Sequence, residues 1–156
     1  MDRTTSGQTQ MPTTRQVSIN APAQVGDVMT KDILTMLPDQ SFAEVVGMMA
    51  TRSFHHMLVV DEDERLHGVI SDRDVLRALS RTSDWSKKCV AEIMTPDSIT
   101  ITPHCAISTA VRLMLEKRIN CLPVIGPDGR VCGILTSTDL LHAYEKLQGQ
   151  LEQRAL

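Results

Sequence analysis

The strongest constraint on this chain is an internal repeat that runs without a gap. Val25-Gly26-Asp27-Val28-Met29-Thr30 returns as Val90-Ala91-Glu92-Ile93-Met94-Thr95. Gly68-Val69-Ile70-Ser71-Asp72-Arg73-Asp74 returns as Gly133-Ile134-Leu135-Thr136-Ser137-Thr138-Asp139. Both echoes lie 65 residues apart, from Met29 to Met94 and from Asp74 to Asp139, so nothing has been inserted or deleted between them. A chain of 156 residues built this way folds as two copies of one small unit. Neither copy can cover its own sheet, so the two are expected to pack sheet to sheet as one body with pseudo-twofold symmetry.

Within the first copy, Ile33-Leu34-Thr35 reads as a short strand ended by Pro38, which cannot extend a ladder. Phe42, Val45, Val46 and Met49 then fall at i, i+3, i+4 and i+7, the apolar stripe of an amphipathic helix, and Ile107, Ala110, Val111 and Met114 repeat it. The methionines on these stripes are core filler. Residues 57–60 and 66–70 flank the charged turn Asp61-Glu62-Asp63-Glu64, and residues 123–125 and 131–135 flank Gly126-Pro127-Asp128-Gly129, a hairpin in each copy. A second helix follows each hairpin.

The predicted order is β-α-β-β-α, twice, in the α/β (α+β) class. A flexible tail (1–24) precedes the first repeat (25–79). A polar linker (80–89) with the single tryptophan, Trp85, joins it to the second repeat (90–144), and a helical extension (145–156) follows. Leu140, Tyr144, Leu147 and Leu151, spaced 4, 3 and 4 apart, suit helix pairing, on the body's own surface or against another subunit.

Composition removes several function classes. A net charge of -3 gives no basic footprint for nucleic acid or for an anionic membrane surface. No apolar run approaches bilayer-spanning length, and the N-terminal segment has no secretory apolar core. The first twenty residues are Thr-rich, with Arg3, Arg15 and the single acid Asp2, and read as a disordered tail ahead of an organelle transit peptide. Cys89, Cys105, Cys121 and Cys132 show no C-x-x-C spacing and read as small buried hydrophobes, not as a metal or disulfide framework. A reducing, cytoplasmic setting is expected.

The closing motif is where chemistry is possible. Each copy is a glycine, two aliphatic residues, a hydroxyl residue and an Asp three positions on, the pattern of a strand running into a helix start. First-turn amides lack intrahelical partners and can receive an anion, while a nearby carboxylate can accept from ribose hydroxyls. Ser71-x-x-Asp74 and Thr136-x-x-Asp139 also fit a capping box, in which the pair serves only the helix's own donors.

With its register-locked repeat, its D-V-M-T and E-I-M-T openings and its paired closings, residues 25–144 resemble a tandem pair of CBS domains, the Bateman module. The resemblance implies a stand-alone regulatory module, without an obligatory cofactor, that binds adenosine-containing ligands (AMP, ADP, ATP, NAD or S-adenosylmethionine) in two clefts between the repeats. It implies that Asp74 and Asp139 take ribose, that Ser71 and Thr136 lie beside ribose and phosphate, and that Thr35 and Thr100 contact the ligand. Phe54, His55 and His56, with Ile119, Asn120 and Cys121 in the other copy, then line the adenine slots. One cleft would join Thr35, Phe54 and His56 to Thr136, Thr138 and Asp139; the other would join Thr100, Ile119 and Cys121 to Ser71, Arg73 and Asp74.

Arg73 aligns with Thr138, so only the second cleft gains a guanidinium, and that cleft is expected to take the more highly charged nucleotide. Leu58 stands where the family often has proline, and His55-His56 replaces smaller residues, which narrows the adenine slot of the first cleft. Adjacent strand residues point to opposite faces, so the His pair makes a poor chelate and no metal is expected.

No P-loop and no nucleophile with a paired base appear, so no catalytic residue is assigned and an enzyme acting on nucleotides is disfavoured. Regulation would act in trans on an unidentified protein target or through the protein's own assembly, with a flat homodimer expected from the family. The alternative from another class is an interaction scaffold that binds no ligand and whose Asp residues only cap helices.

Overall fold

A computed structural model describes residues 21–155. Most of the expected N-terminal tail therefore lies outside the described residues. The elements are β1 (Thr35–Met36), α1 (Phe42–Thr51), β2 (His56–Val60), β3 (Leu66–Ser71), α2 (Asp72–Arg81), α3 (Val90–Ile93), β4 (Thr95–Pro96), α4 (Ile107–Lys117), β5 (Cys121–Ile125), β6 (Val131–Thr136) and α5 (Ser137–Arg154). The order β-α-β-β-α recurs, as the repeat requires.

The first sheet runs β1-β2-β3-β4, with β1 parallel to β2 and the other pairs antiparallel. The β5-β6 hairpin is flanked by two single bridges, Ile101 to Val124 (parallel) and Thr30 to Ile134 (antiparallel). These sit 65 residues from the pairs Met36–Val59 and Thr95–Val69 of the first sheet, so both sheets share one plan.

The opening segment of each repeat is built into the other repeat. Thr95 lies against Val69, and Thr30 against Ile134. Val90 is buried with Met36, Phe42, Val45 and Ile70 of the first repeat, while Val25 is buried with Ile101, Ala110, Leu122 and Leu135 of the second. Backbone bonds hold both exchanges: the Val25 amide donates to the Cys105 carbonyl (2.9 Å) and the Val90 amide to the Gln40 carbonyl (2.9 Å). Burying such a valine contributes on the order of 1.5–3 kcal/mol to the core it enters.

The leading glycine of each closing motif explains itself here. A β-carbon on Gly133 would lie 2.9 Å from the Met29 sulfur and 2.9 Å from the Thr30 carbonyl oxygen; on Gly68 it would lie 2.8 Å from the Met94 sulfur and 2.6 Å from the Thr95 carbonyl oxygen. Only glycine lets the other repeat's Met-Thr approach so closely.

Between the two sheets Leu58, Val60 and Val69 of the first repeat meet Ile134 of the second, with Ile33, Cys121 and Val131 packed at their edge. Sheet-to-sheet packing follows from strands that bury both faces.

Three details differ from the pattern read in the sequence. The early strand pairs at Thr35–Met36, slightly later than residues 33–35, because Ile33 turns into the cluster between the sheets. The linker folds back on the body: Trp85 meets Phe42 edge-on, ring centroids 6.2 Å apart at 87°. On α5, Leu140 packs against the second core, whereas Leu141 and Tyr144 are 68% and 61% exposed. Their counterparts on α2, Leu76 and Leu79, are exposed as well.

Candidate functional site

A cleft of about 890 Å³ opens between the repeats. Its thirty lining residues fall into fifteen pairs 65 positions apart, from Thr30 with Thr95 to Arg77 with His142. The two expected clefts are thus the two ends of one continuous space.

Twelve residues singled out in the sequence line it: Phe54, His55, His56, Ser71, Arg73, Asp74, Ile119, Asn120, Cys121, Thr136, Thr138 and Asp139. Thr35 and Thr100 do not. Thr35 is exposed on β1, and Thr100 lines a separate recess of about 380 Å³ with Arg65, His67 and Asp97. Thr30 and Thr95 line the cleft instead. Their signal was the M-T dipeptide of each opening, which marks the repeat and also delivers a hydroxyl to the opposite half.

Each closing motif forms a capping box. The Ser71 amide and hydroxyl both donate to Asp74 Oδ2 (2.9 and 2.8 Å), and the Asp74 amide donates to Ser71 Oγ (3.3 Å). The Thr136 amide and hydroxyl donate to Asp139 Oδ2 (2.7 and 2.8 Å), with the Asp139 amide returning to Thr136 Oγ1 (3.3 Å). The second oxygens differ. Asp74 Oδ1 accepts from Arg77 Nη1 at 3.2 Å, whereas Asp139 Oδ1 accepts from the Thr30 hydroxyl at 2.7 Å.

The first-turn amides are less available for an anion than the sequence suggests. On α2 the Asp72 amide donates to the His55 carbonyl (3.0 Å) and the Arg73 amide to Asp72 Oδ1 (2.8 Å). On α5 the Ser137 amide donates to the Asn120 carbonyl (3.0 Å). Residues 54–56 and 119–121 therefore touch the helix start of their own repeat, because each leads into the strand paired with that repeat's closing strand. Within the cleft the side-chain hydrogen bond that crosses between repeats is Thr30 on Asp139.

The cleft also carries cations. Arg73 lines the cleft without an ion-pair partner among the described residues, as does Arg118. The sequence reading missed Arg118 and Arg77. Arg118 caps α4 in the left-handed conformation (φ 54°), its amide donating to the Leu115 and Met114 carbonyls, and aligns with Ser53. Burial lowers the His56 pKa from its ordinary value, against the opposing pull of Asp72 and Asp74. Burial, and secondarily the Asp74 charge, pushes the Cys121 thiol up to about 11.

A family model described as CBS domain matches residues 25–81 and again 90–146. The chain belongs to the CBS-domain family. As a CBS-domain pair it is 32% identical over 123 residues to an inosine-5'-monophosphate dehydrogenase of Methanocaldococcus jannaschii, covering 79% of this chain and 24% of that enzyme. The CBS pair thus spans about a quarter of that curated relative.

Among solved structures it is similar to CBSX2 in complex with AMP (TM-score 0.73, 28% identity, 81% of this chain and 99% of that one). It is equally similar to the CBS domain pair of protein MJ0100 in complex with 5'-methylthioadenosine and S-adenosyl-L-methionine (TM-score 0.72, 28% identity, 80% and 98%). No helix among the described residues is long and apolar enough to cross a membrane.

Proposed function

We propose that this CBS pair is a regulatory module that binds an adenosine-containing ligand, AMP, ADP, ATP, NAD or S-adenosylmethionine, in the cleft between its repeats. The observation that carries the reading is the cleft itself: both closing carboxylates, Asp74 and Asp139, line one space made of equivalent residues from the two halves. Similar CBS pairs have been crystallised with AMP and with adenosine thioether and sulfonium compounds. Ligand contacts shared by the two repeats would shift the population of their arrangements and so reach an unidentified protein target in trans. No catalytic role is proposed.

The ends differ in charge. On the closing helices the Asp74 end carries Arg73 and an Arg77 already bonded to Asp74, where the Asp139 end carries Thr138 and His142. Arg118, which stands where the first repeat has Ser53, adds a further cation to the cleft, so it is Arg73 that supports assigning the more highly charged nucleotide to the Asp74 end. Arg73→Ala weakens ATP binding there; equal affinity in the variant refutes the assignment. A homodimer is proposed as the assembled form, on the exposed apolar pairs Leu76 with Leu79 and Leu141 with Tyr144.

Titration calorimetry of the nucleotide-stripped protein with each ligand tests the main reading. Saturable binding of one, abolished by Asp74→Asn with Asp139→Asn, supports it. The capping boxes favour a second reading, in which both Asp residues only hold helices and the molecule is an interaction scaffold. Asp139→Asn separates the two: lost binding at an unchanged melting temperature supports the sensor, and lost stability with no binding in either protein supports the scaffold.

A further inference from the structure

The two carboxylates are equivalent by sequence but not by what remains free on them. An ionised carboxylate offers about four lone-pair positions. In Asp139, Oδ2 is filled by the Thr136 amide and hydroxyl, and Oδ1 holds one donor, the Thr30 hydroxyl, leaving one position open to the cleft. Thr30 spends its hydrogen on Asp139, so the lone pairs of its own Oγ1 are left to accept. Two acceptor oxygens, Asp139 Oδ1 and Thr30 Oγ1, thus stand 2.7 Å apart on the cleft wall, a spacing close to that of the two oxygens in a cis-diol. At the other end Asp74 Oδ1 is paired with Arg77, whose guanidinium has no acceptor, and Thr95 makes no hydrogen bond to Asp74.

We infer that Thr30 is a specificity-determining residue of the Asp139 end: with Asp139 it forms a two-acceptor seat that takes both hydroxyls of a ribose. The Asp74 end offers its carboxylate alone. The inference rests on the nucleotide reading of the cleft. Thr30 is well placed for the role because its amide donates to the Ile134 carbonyl and its carbonyl accepts from the Ile134 amide, both at 2.9 Å, so the hydroxyl is delivered by a fixed backbone.

The test is calorimetric titration of the full chain with AMP, 2′-deoxy-AMP and 3′-deoxy-AMP, in the unsubstituted protein and in Thr30→Val, Thr30→Ser and Thr95→Val. In the unsubstituted protein each missing hydroxyl weakens the more selective site about tenfold, the size of one buried hydrogen bond. Thr30→Val abolishes one of these two losses, Thr30→Ser keeps both, and Thr95→Val keeps both. Thr30→Ala provides the same readout should the valine variant melt early. Discrimination that survives Thr30→Val and Thr30→Ala, or that Thr95→Val removes as well, overturns the assignment while leaving the cleft a nucleotide site. Failure of the unsubstituted protein to bind AMP overturns both together.

Discussion

Gly133→Ala tests the exchange of segments on which the body depends. The new methyl carbon would lie 2.9 Å from both the Met29 sulfur and the Thr30 carbonyl oxygen, short of ordinary contact by about 0.5–1 Å. The thioether can swing away. The carbonyl cannot, because it accepts from the Ile134 amide at 2.9 Å, so relief must come from separating the bridge itself. Overpacking costs about 1–3 kcal/mol and a weakened backbone bond about 1 kcal/mol more. A total of about 2–4 kcal/mol is a large part of the 5–15 kcal/mol typical of a domain. At about 2–4 °C per kcal/mol for a chain of this size, the melting temperature falls by about 4–16 °C.

Thermal unfolding followed by circular dichroism measures this, with Gly149→Ala as control. Gly149 lies in α5 with nothing within 4 Å of an added β-carbon, so alanine there raises stability by about 0.5–1 kcal/mol. A Gly133→Ala protein melting with the unsubstituted one would refute the steric reasoning.

His56, its pKa lowered chiefly by burial, is held neutral more firmly in the folded state than in the unfolded chain. Its contribution is therefore complete above about pH 6.5 and is lost as pH falls below that value toward the lowered one; His56→Asn flattens the melting curve against pH across that window. Cys121, its thiol pushed up to about 11, reacts with iodoacetamide much more slowly in the folded protein than in urea, as mass spectrometry of the labelled peptide will show. If the proposed homodimer forms through these side chains, Leu141→Asp with Tyr144→Asp yields a monomer in sedimentation velocity, and a monomeric unsubstituted protein refutes the proposal. Thr136→Ala removes a cap and costs about 1 kcal/mol, read as a shift in denaturation midpoint.

The sequence carried the repeat, the element order and most of the cleft, because a register-locked echo fixes which residues are equivalent. Phe42 and Val45, read as a helix stripe, are fully buried, and Ala110 and Met114 bury the same face of α4. What stayed hidden depends on contacts between the halves. Spacing cannot show that Val25 belongs to the second core, or that Thr30 and not Thr35 meets the cleft. Nor can it show that Arg118 takes a left-handed turn where Ser53 does not. Leu140 and Tyr144 illustrate the same limit: the 4, 3, 4 spacing puts both on one stripe, yet Leu140 packs against the second core while Tyr144 stands exposed.

The traded openings also bear on how such a molecule can differentiate. A lone half-chain would carry an opening with no second sheet to receive it, and two identical halves could satisfy one another only by swapping those openings. A single polypeptide holding both halves keeps that reciprocal embrace while freeing each half to drift. Arg73 aligned with Thr138, Arg77 with His142 and Ser53 with Arg118 are differences that a symmetric pair of identical half-chains could never possess.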